Sequence, residues 1–174
     1  MLRELQSKLP TSLTAQRMVW ARRIVKQQLT IADLAPLLYG GEKVCRRFCW
    51  LLSDIGLEFP AWLRAALPDL WTEADKLEAK GRSIRLAFAS WWRLAGVPKE
   101  QEGLAYDHCL QWLHAAHTDV TTKSRALMVL LPLVEKHPDL LPELRLVLNE
   151  VRDTHSASFR KQVDKALAKF ARDQ

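Results

Sequence analysis

The sequence is short of residues that turn a chain tightly: six glycines and eight prolines in 174 positions leave too few turn formers for an all-β chain. The N-terminal Met1-Leu2-Arg3-Glu4-Leu5 is not followed by an apolar run of about 7–15 residues, so no secretory signal is expected. The longest uncharged apolar stretch, Ala126 to Val134, falls far below the roughly 20 residues of a membrane span. Three cysteines (Cys45, Cys49, Cys109) are too few and odd in number for a disulfide framework, and they read as reduced thiols of a cytoplasmic protein. The chain also lacks Gly-x-Ser-x-Gly, a phosphate-cradling glycine loop and Gly-x-Gly-x-x-Gly. Its one Gly-Gly pair, Gly40-Gly41, reads as a helix stop. No catalytic residue, metal ligand set or cofactor is therefore expected, and the chain is expected not to be an enzyme.

What is present is ordinary globular composition, 48% hydrophobic and 26% charged, rich in the helix formers Leu, Ala, Arg and Glu. The net charge is +6, and it is uneven. Residues 1–30 carry Arg3, Lys8, Arg17, Arg22, Arg23 and Lys26 against Glu4 alone, leaving only +1 for the rest. Segment 14–28 aligns Met18, Ala21, Val25 and Leu29 on one face, with Arg22, Arg23 and Lys26 largely elsewhere. Such a basic amphipathic helix caps a helical stack, meets nucleic acid through Arg17, Arg22, Arg23 and Lys26, or lies on an anionic membrane surface. The cap is the preferred reading.

Three segments align without gaps: Arg47 to Pro60, Arg85 to Pro98 and Arg125 to Pro138. A partial fourth copy starts at Arg160. Large apolar residues follow each Arg by three positions (Trp50, Phe88, Met128), then by six (Trp91, Leu131) or ten (Leu57), and that spacing predicts one buried helical stripe. The prolines end one helix and start the next. The predicted helices are 3–9, 14–28, 31–38, 42–58, 61–78, 81–95, 99–116, 121–136, 139–152 and 156–171, with short loops and no dividing linker.

The unit is thus a helical hairpin of about 40 residues, a length typical of helical repeats. The pattern Ile84-Arg85-Leu86-Ala87-Phe88-Ala89 and the Asp shortly before the Arg (Asp119 before Arg125, Asp153 before Arg160) resemble the HEAT repeat of the armadillo-type superfamily. The resemblance implies an all-α, right-handed α-α superhelix, a single solenoid domain over 1–174. It would comprise a basic cap (1–30), about four hairpins (31–155) and a C-terminal cap helix (156–174). Lys161, Lys165, Lys169 and Arg172 would give that last helix its polar outer face. It also implies a structural ladder, with Asp119 paired to Arg125 and Asp153 to Arg160.

Two metal-binding arrangements are weighed and set aside. Cys45 and Cys49, four apart, would need His108 and Cys109 to complete a zinc site, so buried or half-buried thiols are preferred. His114 and His117 lack an intervening Glu, so a solvated or interface face is preferred. Most of the seven tryptophans (Trp20, Trp50, Trp62, Trp71, Trp91, Trp92, Trp112) fit a core. Trp92, seven after Arg85, is expected beside Arg93 on the concave face, in a row with Asp54 and Pro132 and near Arg47 and Arg85. The expected function is a non-catalytic protein-binding scaffold using that face. The alternative is a nucleic-acid-binding HEAT-like protein similar to the bacterial alkylpurine DNA glycosylases, with Arg47, Arg82, Arg85, Arg93, Trp92 and Asp54 in the groove.

Overall fold

Caps and prolines set where the helices begin. Thr30 and Asp33 exchange hydrogen bonds as a capping box at the head of α3 (Ile31–Leu34). Pro60 occupies the first turn of α5 (Pro60–Asp75), and Asp119 accepts from the Thr122 N–H at 3.0 Å to cap α8 (Val120–Lys136). Gly96, with φ of +80°, ends α6 (Glu78–Ala95) in a backbone conformation that side chains rarely adopt. Pro68 and Pro132 lie inside α5 and α8 without ending them. Both are at least partly exposed, so water can serve the carbonyl that loses its donor.

The computed structural model describes the backbone of residues 1–172 and all their side chains except those of 78–82 and 172. Arg82 and Arg172 therefore lie outside the described side chains. The remaining α-helices are α1 (Leu2–Lys8), α2 (Thr14–Lys26), α4 (Glu42–Glu58), α7 (Glu102–His114), α9 (Leu141–Val151) and α10 (Ala157–Arg172). Among the described residues there is no strand, and the fold is all-α. Short 3-10 turns at Leu9–Thr11, Ala35–Leu37, Lys99–Gln101 and Pro138–Leu140 account for half of the predicted helix length that α-helix does not fill.

The chain forms two compact units, Met1–Pro98 and the part beginning at Lys99. In the first, α4 packs against α2, α5 and α6, while α3 packs against α5. The helices α2, α4 and α6 thus make one row and α3 and α5 a second. In the other unit, α7 packs on α8 and α9, and α10 packs on α8 and α9. Polar side chains tie hairpins together at one period. Arg17–Asp54, Arg22–Glu58, Trp91–Ser53, Tyr39–Glu73, Tyr106–Glu143, Lys136–Glu102 and Lys169–Glu135 all join residues 34–38 positions apart.

The core of the first unit is aromatic. Trp71 stacks on Trp92 at 5.7 Å and meets Phe88 edge-on at 4.8 Å, while Phe88 meets Trp91 at 4.9 Å. Each such pair adds about 0.5–1.5 kcal/mol beyond area burial.

Burial also fixes the register of the repeat. Phe48, Leu51, Leu52 and Ile55 of α4 correspond to Phe88, Trp91, Trp92 and Ala95 of α6, each 40 positions on. Those correspond to Ala126, Val129, Leu130 and Leu133 of α8, each 38 further. The alignment on the leading arginines reverses these steps to 38 and 40. It therefore misplaces α6 by two residues, roughly 200° around the helix at about 100° per residue.

Candidate binding face

That rotation decides which tryptophan is outside. Trp92 is 1% exposed and belongs to the aromatic core, so its expected place on a recognition surface is corrected. Trp50 and Met128, expected in the buried stripe, are instead 45% and 46% exposed at equivalent positions of α4 and α8. Only Phe88 of that trio is buried. The sequence neighbours carry the signal. Trp50 has Arg46, Arg47, Ser53 and Asp54 three and four positions away, whereas Trp92 has Phe88, Ala89, Ala95 and Gly96.

On α4 one stripe runs from half-buried Arg47 through exposed Trp50 and buried Asp54 to Leu57, which is 67% exposed. The Arg47 guanidinium lies 4.3 Å from the Trp50 ring centroid, and that of Arg17, from α2, lies 5.5 Å away. Cation–π contacts of this kind contribute about 0.5–2 kcal/mol. Arg17 is itself fixed. Its Nε donates to Asp54 Oδ2 at 2.6 Å, and its Nη2 donates to Thr14 Oγ1 at 3.1 Å. The side chains of Arg17 and Asp54 are only 7% and 11% exposed. Arg17 thus joins Trp20, Ala21 and Ile24 on the buried face of α2, one position before the face expected from Met18, Ala21 and Val25.

Of the five residues expected at a binding surface, the structure gathers Arg47 and Asp54 around Trp50. Arg85 turns to Asp75 instead, with Nη1 2.7 Å from Oδ1. Arg93 is exposed at the end of α6, and no ion pair links it to the Trp50 group among the described residues. Three of the six cations of the basic arm hold carboxylates, two of them on α4: beyond Arg17 with Asp54, Arg22 pairs with Glu58 at 2.7 Å and Arg23 with Glu4 at 3.1 Å. Lys26 is exposed.

The expected ladder is half present. Asp153 and Arg160 pair at 3.0 Å, but both are about half exposed and screened by water. Asp119 does not meet Arg125. Both its oxygens turn to Thr122, because a short acidic side chain at a helix start is best placed for the open N–H groups. Burial raises the Asp119 carboxyl and the Thr122 hydrogen bonds lower it, leaving it below its ordinary value. The Asp75–Arg85 pair, ten residues apart, was hidden by its longer spacing.

No family model, curated protein or solved structure matches the chain. The site therefore rests on its own geometry. Among the described residues no three His, Cys, Asp or Glu side chains cluster to hold a metal, and no helix is long and apolar enough to cross a membrane. A hydrogen bond donated to Cys45, with burial, pushes the Cys49 thiol well up, and burial does the same to Cys109. Both thiols stay protonated at neutral pH, which suits packing and not nucleophilic attack. His114 meets Glu150 at 3.0 Å, and His108 lies against Trp112.

Proposed function

We propose that this chain is a non-catalytic protein-binding module of stacked helical hairpins, similar to HEAT-like repeats, in a reducing compartment such as the cytoplasm. The observation that carries the reading is Trp50, an exposed indole capped by Arg47 and followed two turns later by exposed Leu57. An aromatic anchor beside arginine and aliphatic surface is the composition of a protein interface hot spot. The row of α2, α4 and α6 behind α3 and α5, with polar ties every 34–38 residues, supports the HEAT-like solenoid. Three free cysteines suit the compartment.

Stacking of arginine on tryptophan also fits single-stranded nucleic acid. That reading is weaker here, because Arg17, Arg22 and Arg23 already hold carboxylates. Asp54, the carboxylate of a glycosylase-like groove, is held by Arg17. Capture of partners from the native host by wild type and Trp50→Ala, with and without nuclease, tests both. A nuclease-resistant protein lost in Trp50→Ala, with melting nearly unchanged, is expected. Capture that nuclease abolishes, or that the variant retains, removes the reading.

A further inference from the structure

The second unit carries a different opening, independent of the α4 face. Between α8 and α10 runs a groove of about 740 Å³. Its floor is apolar, with Leu127, Met128 and Leu131 from α8 facing Ala166 of α10. Its edge is cationic. Lys161, Lys165 and Lys169 recur every four residues along one side of α10, and the last two line the groove. Lys169 is taken by Glu135, and Asp164 of the same helix is taken by Arg152 at 2.6 Å. Lys161 and Lys165 have no acidic partner among the described residues and are exposed. Also lining the groove, Gln162 keeps its Oε1 buried with no donor.

These features define a complementary ligand. Exposed Met128 and the leucines call for apolar side chains, and free lysines at the edge call for carboxylates. An orphan buried acceptor calls for an N–H or O–H donor, since leaving one unsatisfied is unfavourable. A fatty acid offers the first two and no such donor once ionised. Nucleic acid offers anions without aliphatic groups. An amphipathic acidic peptide with a hydroxyl or amide side chain among its apolar ones offers all three, in the helix-in-groove mode of recognition. We infer that the α8/α10 groove binds an acidic amphipathic segment of a partner protein. Its apolar side chains lie over Met128 and Leu131, and its carboxylates meet Lys161 and Lys165.

Methionine makes the test specific, because the chain has only Met1, Met18 and Met128. The whole chain, labelled with ¹³C at its methionine methyls, is titrated with a helical peptide bearing leucine and one serine on one face and glutamate on the other. Parallel titrations use the same peptide with lysine for glutamate, and phosphatidylserine vesicles. The acidic peptide should move the Met128 signal to saturation and leave Met18 in place. Replacing both Lys161 and Lys165 by Glu should weaken that binding at least tenfold, and the basic peptide should bind at least tenfold less tightly than the acidic one. Should the double variant fold poorly, Met128→Gln, read by anisotropy of labelled acidic peptide, must weaken binding instead. An unmoved Met128, equal binding of the basic peptide, a variant that binds as wild type, or a Met128 shift with vesicles overturns the inference.

Discussion

The helices α4 and α8 carry equivalent positions 78 residues apart, and they end in different surfaces. Trp50 and Met128 are exposed to the same degree. One turn on, α4 has Asp54 and α8 has Pro132. Asp54 draws Arg17 of α2 over the flank of Trp50, so that side of α4 is closed by a nearly buried ion pair. Pro132 offers no such partner, and the space between α8 and α10 stays open with lysines along its edge. The units differ in charge as well. Residues 1–98 hold 15 basic and 9 acidic side chains, and residues 99–174 hold 11 of each. Ion pairs inside the first unit occupy Arg17, Arg22, Arg23 and Arg85 without changing its excess, while Lys161 and Lys165 of the neutral unit face solvent with no acidic partner among the described residues.

The largest test of this contrast is to break the closing pair. Arg17→Met leaves Asp54 unpaired and nearly buried, and should cost about 3–5 kcal/mol in chemical denaturation. Arg17→Met with Asp54→Leu should regain most of that. Arg125→Met, at the α8 counterpart of Arg47, removes no ion pair and should cost under about 1 kcal/mol. Equal losses for the two single variants would dissolve the distinction between α4 and α8.

Packing at glycine gives the next effect. A Cβ on Gly56 of α4 would come within 2.5 Å of a Leu63 methyl and 3.3 Å of Leu94 Cβ, in a fully packed region. Gly56→Ala should destabilise by about 1–3 kcal/mol. Gly103, in the first turn of α7, has no atom within 4 Å of that position. Gly103→Ala should stabilise by about 0.4–1 kcal/mol through the unfolded chain. Melting curves of the two variants should therefore move in opposite directions.

A smaller change tests the ladder. Asp119→Ala removes the α8 cap and should cost about 1 kcal/mol. Combined with Arg125→Ala the losses should add, because the two side chains do not meet. A coupling of about 1 kcal/mol in that cycle would restore the Asp119–Arg125 pair.

The ten α-helices among the described residues lie where the hydrophobic spacing predicted helices, because periodicity and proline punctuation act locally. Which side of α6 faces inward was not local. Arg85 matched Arg47 and Arg125 as a residue type, but its burial register is two positions off, and Trp92 went to the core with it. The polar residues flanking Trp50 were the better guide to exposure. Pairings such as Arg17–Asp54 and Arg22–Glu58 depend on how the arm lies along α4, which no spacing within the arm encodes.

The smallest effect expected separates the units by pH. The first unit contains no histidine; His108, His114, His117, His137 and His155 all belong to the other. His155 keeps Nε2 buried without a partner, and its ring meets Phe159 edge-on at 5.5 Å. Burial, and then the charge of nearby Lys123, hold its pKa below the ordinary 6.5. When the folded pKa lies below the unfolded one, the unfolded chain takes up the proton first as pH falls. This contribution to stability is therefore present above about pH 6.5 and is lost as pH drops through the folded pKa. Lys123, 1% exposed and lowered by burial, acts with the same sign, and it is present in both proteins of the comparison. Urea midpoints of wild type and His155→Phe at pH 7.5 and 5.5 read the difference. Wild type should lose more stability on acidification than the variant, and amide exchange should assign the added opening to residues 99–172. An equal loss in both proteins, or added opening in residues 1–98, would mean that His155 is as well solvated in the folded chain as in the unfolded one.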